Sequence, residues 1–219
     1  MTTAFQTFRQ RFHDGLLADF LTHDAKGIPS IADGNNRTSV AIARHLLDAL
    51  GGGRKAGKGA GQRAGNSFEA HCRDFLENCF ARLHHLRPGE WKVVRVTSRK
   101  GAALAEYEQY EHLARIIRMA RESEALAASL GNDYTIAPDI LVLRFPEPDT
   151  VINAESTLVD ARIATRSPLR KTVNERPIVH ASVSCKWTLR SDRAQNARSE
   201  ALNLIRNRKG RCPHIVALT

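Results

Sequence analysis

Residues 178–218 read IVHASVSCKWTLRSDRAQNARSEALNLIRNRKGRCPHIVAL, and three elements follow one another along them. An apolar run from Ile178 breaks at a turn. Helical spacing then continues to about Asn207, Gly210 acts as a stop, and a second apolar run, PHIVAL, closes the stretch. Strand, helix, strand in that order predicts a βαβ unit inside an α/β domain. In the first strand, side chains alternate between faces, so Ala181, Val183, Cys185 and Trp187 share one side while Ser182, Ser184 and Lys186 share the other. The apolar set suits a core. The polar set requires something wet or charged, because an ammonium group half-buried in a sheet is driven to lose its proton unless an anion faces it.

Working outward, PDILVLRF (residues 138–145) reads as a short apolar strand entered through Pro138 and Asp139, and WKVVRVTS as another strand. Helical spacing predicts helices over residues 5–22 and over 38–50, the latter with Ile42, Leu46 and Leu47 on its apolar side. It predicts two more over 67–85 and over 104–130. Residues 146–177 hold half of the prolines and no sustained period, which predicts an irregular excursion. GGGRKAGKGAGQRAG, residues 51–65, approaches a phosphate-binding loop in GGRKAGK, but Gly59 stands where a hydroxyl must hold magnesium and a helix precedes it. It reads as a flexible basic loop, a linker or a DNA-facing arm.

The chain has 219 residues, enough for one sizeable domain. A formal charge of +10 and a pI near 10.0 point to a polyanionic partner, nucleic acid or an anionic membrane. No apolar run approaches the roughly 18 residues that span a bilayer, and the N-terminal stretch lacks a signal peptide's apolar core, so a cytoplasmic location is expected. A membrane-surface role would need a basic amphipathic helix with a broad apolar face, and none is identified. The four cysteines form no CxxC pair and the nine histidines no HExxH spacing, so free thiols and ordinary histidines are expected.

Asp139 opens one apolar strand, and Ser184 and Lys186 share a face of another. If those strands are neighbours, the carboxylate and the ammonium can meet at one end of the sheet, an arrangement suited to phosphodiester hydrolysis. That reaction needs a hard cation on oxygen ligands, a water made nucleophilic, and positive charge on the phosphate. Asp139 and the main-chain carbonyl of Cys185 can supply oxygens, and Lys186 can orient the water or stabilise developing negative charge. A salt-bridged lysine, or one that discourages pairing at a sheet edge, is the bland alternative.

Pro138-Asp139, then Ser184-Cys185-Lys186, then Glu200 resembles the motif of PD-(D/E)XK nucleases in its permuted form, where the motif glutamate has moved to the following helix. KWTLRSDRAQNARSE followed by LIRNRKGRCPHIV, with SFEAHC, DYTIAPDI and HASVSCKW, is similar to the NgoMIV-like type II restriction endonucleases, over residues 31–218. The resemblance implies a restriction-endonuclease-like α/β core with a central mixed sheet flanked by helices. It also implies magnesium held by Asp139 and the Cys185 carbonyl, with Lys186 catalytic. Glu69, Ser184 and Glu200 complete the acidic cluster, directly or through metal-bound water. From the residues alone, Asn66 and Glu69 fit a capping box, and Glu200, opposite the stripe Ala194, Ala197, Ala201, Leu204 and Ile205, fits a solvated helix position.

An arginine donates two hydrogen bonds to guanine and an aspartate accepts from cytosine N4, so Arg190, Asp192 and Arg193 hold both halves of a code for G·C pairs. Asp192 with Gln195 also fits a second capping box. The resemblance assigns the three to the central CCGG, with a minor-groove role for Gln62 and an outer-base contact for Asp33. Arg198, Arg206, Arg208, Lys209 and Arg211 suit phosphate contacts, with solvated helix charge as the alternative for each.

The expectation is therefore one domain over residues 1–219, ending before the family's C-terminal elements. Its expected activity is magnesium-dependent cleavage of double-stranded DNA at a CCGG palindrome, GCCGGC, leaving a 5′-phosphate and a four-base 5′ overhang. The family implies a homotetramer built as a dimer of dimers, and a companion DNA methyltransferase in the same cell. Two rivals remain: a DNA-binding fragment without catalysis, and another nuclease of the superfamily with different DNA specificity.

Overall fold

The computed structural model describes residues 2–19, 21–51, 61–96, 101–130, 138–188 and 191–219. Four strands, β1 (Trp91–Arg95), β2 (Ile140–Arg144), β3 (Ile178–Cys185) and β4 (His214–Leu218), make one sheet in the order β1-β2-β3-β4. β1 pairs antiparallel with β2, and β2 antiparallel with β3. The crossover from β3 to β4 runs through a helix, the connection a parallel pair requires, so the sheet is mixed and the expected βαβ unit is present. Burial of β3 departs from simple alternation: all five residues from Ala181 to Cys185 are buried, because this strand lies inside the sheet and is covered on both faces.

The helices are α1 (Ala4–Asp19), α2 (Arg37–Ala49), α3 (Gly61–Ala81), α4 (Leu113–Glu122), α5 (Glu124–Leu130), α6 (Asp149–Ile152) and α7 (Ser191–Arg206). The chain divides into two compact units. One comprises Met1–Arg82, Ser184–Ser199 and Ala217–Thr219, and the other Leu83–Val183 and Glu200–Val216.

In the first unit, α1 lies against α3. Phe12 and Phe75 pack with ring centroids 5.3 Å apart. Asp19 at the end of α1 takes a 2.6 Å contact from His71 Nε2 and a hydrogen bond from the Ser67 hydroxyl. Asn36 caps α2, its side chain accepting from the Thr38 and Ser39 amides. The buried face of α2 is Ser39, Ala43 and Leu47, while Ile42 and Leu46, expected on the apolar side, are about half exposed (49% and 45%). Of the segment expected as a basic loop, residues 61–65 belong to α3. GGRKAGK lies outside the described residues.

In the second unit, Leu104, Tyr110, Leu113, Leu141, Leu143, Val179 and Leu204 form a buried cluster. Each such side chain contributes about 1.5–3 kcal/mol on leaving water. The single helix expected over residues 104–130 is broken into two 3-10 turns (Gly101–Glu106 and Glu108–Tyr110) followed by α4 and α5. Tertiary bonds break it. The Glu108 amide donates to the Pro177 carbonyl, Gln109 binds Val179, and the Tyr110 hydroxyl donates to the Leu204 carbonyl. Ser123, in extended conformation, separates α4 from α5 and caps the latter, its hydroxyl accepting from the Leu126 amide. Residues 146–177 contain α6 and a folded set of turns held by Arg170, which is 6% exposed. Its guanidinium binds Asp149 at 2.5 and 2.9 Å and donates to the Asp160 and Ile163 carbonyls.

Candidate active site

Asp139 is the residue immediately before β2. Its carbonyl accepts a 3.0 Å bond from the Val96 amide, which extends the β1–β2 ladder by one step and holds the backbone at the point where the carboxylate leaves it. The ladder between β2 and β3 pairs Ile140 with Val183. Along the chain, Asp139 is next to Ile140, and Ser184, Cys185 and Lys186 follow Val183. A bulge earlier in β3 sets this register: Val142 faces Ala181 and Leu143 faces Val179, with His180 as the extra residue.

Ser184 and Cys185 are buried, at 8% and 7% exposure, and Lys186 is half-buried. The Lys186 amide donates to the Leu218 carbonyl of β4 at 2.8 Å. No cis peptide occurs among the described residues, so the carbonyl of Cys185, in the same peptide plane as the Lys186 amide, points the opposite way. Trp187 closes on α3, where a Cβ at Gly65 would lie 3.5 Å from the indole nitrogen. A larger residue at 65 would crowd the position just after the lysine.

The two units divide the expected set. Asp139 and Glu200 belong to one, and Asp33, Glu69, Ser184, Cys185, Lys186, Asp192 and Arg193 to the other. Glu69 is half-buried on α3, two turns into that helix. Asn66 lies inside the same helix, so the capping-box explanation for Glu69 fails: an N-cap must precede the first turn. Glu200 is half-buried on α7, not a fully solvated position, and Ala194 of the expected apolar stripe is exposed while Leu204 is buried at 1%. Asp192 and Arg193 are exposed in the first turn of α7. An acid there is favoured by the helix dipole, but Asp192 lies within the helix and does not precede it as a cap would. Asp33 accepts from the Asn35 amide in a tight turn ahead of α2, while its own amide donates to the Ser39 hydroxyl. Arg190 and the side chain of Gln62 lie outside the described residues.

Among the described residues, no group of three or more His, Cys, Asp or Glu side chains is arranged to hold a metal ion. One carboxylate with one main-chain carbonyl is a different kind of donor set. Carboxylate and carbonyl oxygens are the hard donors that magnesium takes, and Asp139 and Cys185 each offer one such atom type. No helix among the described residues is long and apolar enough to cross a membrane. The cysteines Cys72, Cys79, Cys185 and Cys212 are free thiols, as expected.

Comparison with known proteins bears on the chain as a whole. The family model for the NgoMIV restriction enzyme matches residues 10–219. The type II restriction enzyme NgoMIV of Neisseria gonorrhoeae is 48% identical over 220 residues, an overlap that takes in all of this chain and 77% of the relative. With a match that runs through both units and across every residue weighed above, the chain belongs to the NgoMIV restriction enzyme family, a family of site-specific deoxyribonucleases.

Proposed function

We propose that this chain is a type II restriction endonuclease that hydrolyses double-stranded DNA at the palindrome GCCGGC, with magnesium as cofactor. The observation that carries the reading is the end of β3. There, in a chain of a restriction-enzyme family, buried Ser184 and Cys185 lead into a half-buried lysine whose amide is committed to β4, leaving the Cys185 carbonyl directed away from that strand. β2, which Asp139 precedes, is the other neighbour of β3 in strand order.

Asp139 and the Cys185 carbonyl would hold the magnesium ion. When bound, the ion supplies charge for the phosphate and acidity for water. Lys186 orients the attacking water and stabilises negative charge as it develops. Glu69, Ser184 and Glu200 hold further water through their oxygens. Water gives up a proton as it adds to phosphorus in line, the bond to the 3′ oxygen breaks, and that oxygen takes a proton from solvent and leaves as a hydroxyl, so the 5′ end keeps the phosphate; the family reading adds a four-base 5′ overhang. Arg190 and Arg193 donate to guanine O6 and N7, and Asp192 accepts from cytosine N4. Gln62 reaches the minor groove and Asp33 the outer base pair. A palindromic site calls for a two-fold pair of protomers, and the family reading extends this to a dimer of dimers in the cytoplasm, with a methyltransferase protecting the host's own sites.

The test is incubation of the purified chain with a plasmid carrying two GCCGGC sites, with and without magnesium, beside Lys186→Ala. The expected result is magnesium-dependent cutting at those sites, absent in the variant. DNA retained on a gel but never cut would replace this reading with a binding protein. Cuts that ignore GCCGGC would leave a nuclease of another specificity.

A further inference from the structure

At the opposite end of β2 from Asp139, the second unit opens a cleft of about 700 Å³. The five residue steps from Asp139 to Arg144 correspond to roughly 16 Å of strand. Four arginines line the cleft, Arg87, Arg144, Arg166 and Arg211, against one carboxylate, Glu108. Among the described residues none of the four is in an ion pair. Glu147 approaches the Arg144 guanidinium at Gly89, while Arg87, Arg166 and Arg211 are exposed, so the cleft keeps a net positive charge that attracts an anion.

The arginines are positioned by neighbours. The Arg144 guanidinium stacks over the Trp91 ring at 5.6 Å, and its Nε is buried with no hydrogen-bond partner. Trp91 is held in turn by its indole N–H, which donates to the Arg87 carbonyl at 3.0 Å. Arg87 Nη1 lies 3.4 Å from His180 Nε2, and His180 packs edge-on to both Trp91 and His214, with centroids 4.8 and 4.9 Å away. Burial, then the charges of His214, Arg87, Arg211 and Arg144, push the His180 imidazole down to about 4. The histidine is therefore neutral at pH 7 and the guanidiniums carry the positive charge of the cleft. Guanidinium forks match phosphate oxygens two at a time. The remaining wall, with Leu86, Pro168 and Ile178, is apolar, and the volume is that of a small-molecule site.

We propose that this cleft is a second ligand site that takes a phosphomonoester on a flat, apolar-faced carrier, a mononucleotide in chemical class, with the phosphate on Arg87, Arg144 and Arg211 and the ring against the apolar wall. The site uses none of the groups assigned to cleavage or base reading and shares only Arg211 with the candidate phosphate contacts, a case that the duplex arm of the test separates.

The experiment follows the His180 imidazole by NMR in the full chain during titration with deoxycytidine 5′-monophosphate, deoxycytidine, inorganic phosphate and a duplex lacking CCGG. The nucleotide is expected to bind saturably and to raise the His180 midpoint by about one unit, because a nearby anion favours the protonated ring. It should bind more tightly than phosphate, with the nucleoside leaving the signal unmoved. Arg144→Gln combined with Arg87→Gln should weaken nucleotide binding by at least about tenfold, the loss expected of a charge-assisted bond. No movement of His180 with millimolar nucleotide overturns the proposal, as does equal binding of the nucleoside. Movement with the duplex but not the nucleotide would instead make the cleft a contact for the DNA backbone and overturn the small-ligand assignment.

Discussion

Gln109 holds Val179 by both of that residue's main-chain groups: its Nε2 donates to the Val179 carbonyl at 2.7 Å, and its Oε1 accepts from the Val179 amide at 2.9 Å. The side-chain amide thus does for the start of β3 what another strand would do, and both residues are essentially fully buried. Gln109→Ala leaves two buried backbone groups without partners, each costing about 1–3 kcal/mol. The midpoint of urea denaturation should fall clearly for this variant. An unchanged midpoint would mean that water replaces the amide.

Asn66→Ala separates the cap reading from the helix-interior reading. If Asn66 were an N-cap, its loss would destabilise by about 1 kcal/mol. Because it is an exposed position inside α3, replacement by alanine should stabilise by about 0.5 kcal/mol through helix propensity. Thermal denaturation of the one variant decides between the two signs.

α1 approaches α3 closely at Gly15, where a Cβ would lie 2.5 Å from the His71 ring. The ring cannot swing away without giving up its 2.6 Å contact with Asp19. Crowding of this kind costs about 1–3 kcal/mol and outweighs the roughly 1 kcal/mol that alanine gains over glycine in a helix. Gly15→Ala should therefore melt at a lower temperature than the parent, and adding His71→Ala should recover part of the loss. A higher melting temperature for Gly15→Ala alone would show that the ring yields freely.

Arg170 holds the Asp149 carboxyl below its ordinary range, chiefly by hydrogen bonding and then by charge. A depressed carboxylate stabilises the fold above its unfolded value and ceases to do so as the pH falls through its lower folded value. Acid should accordingly loosen residues 146–177 first, and cleavage near the exposed Leu158 and Ile163 by an acid-active protease should increase there. Asp149→Asn should be cleaved readily at neutral pH and lose that acid dependence. A variant that resisted cleavage like the parent would refute the role of the pair.

The β3-α7-β4 unit was legible because its periodicity is local: an apolar run, a helical spacing and Gly210, which adopts a positive φ of 69°, each announce themselves within a few residues. The helix expected over residues 104–130 was not, because Gln109 and Tyr110 are buried by partners at Val179 and Leu204 that no local pattern reveals. On α2, the buried stripe of Ser39, Ala43 and Leu47 is made of small residues with one leucine, so hydrophobicity alone pointed to Ile42 and Leu46. Asp139 could be singled out by its place before a strand. Cys185 is proposed to act through its carbonyl, an atom every residue carries, so its residue type gave no signal and only its place just before Lys186 singled it out. The arginine cleft left no motif, since Arg87, Arg144, Arg166 and Arg211 come from separate segments.

The order of the strands also sets a timetable for folding. β2 emerges from the ribosome well before its partner β3, and the acceptor of the Lys186 amide, Leu218, emerges only after α7 has passed. Pairings so far apart in sequence close slowly. In a nascent chain the β2–β3 ladder can therefore close once β3 has emerged, while the bond that commits the Lys186 amide to Leu218 must wait until the crossover is complete.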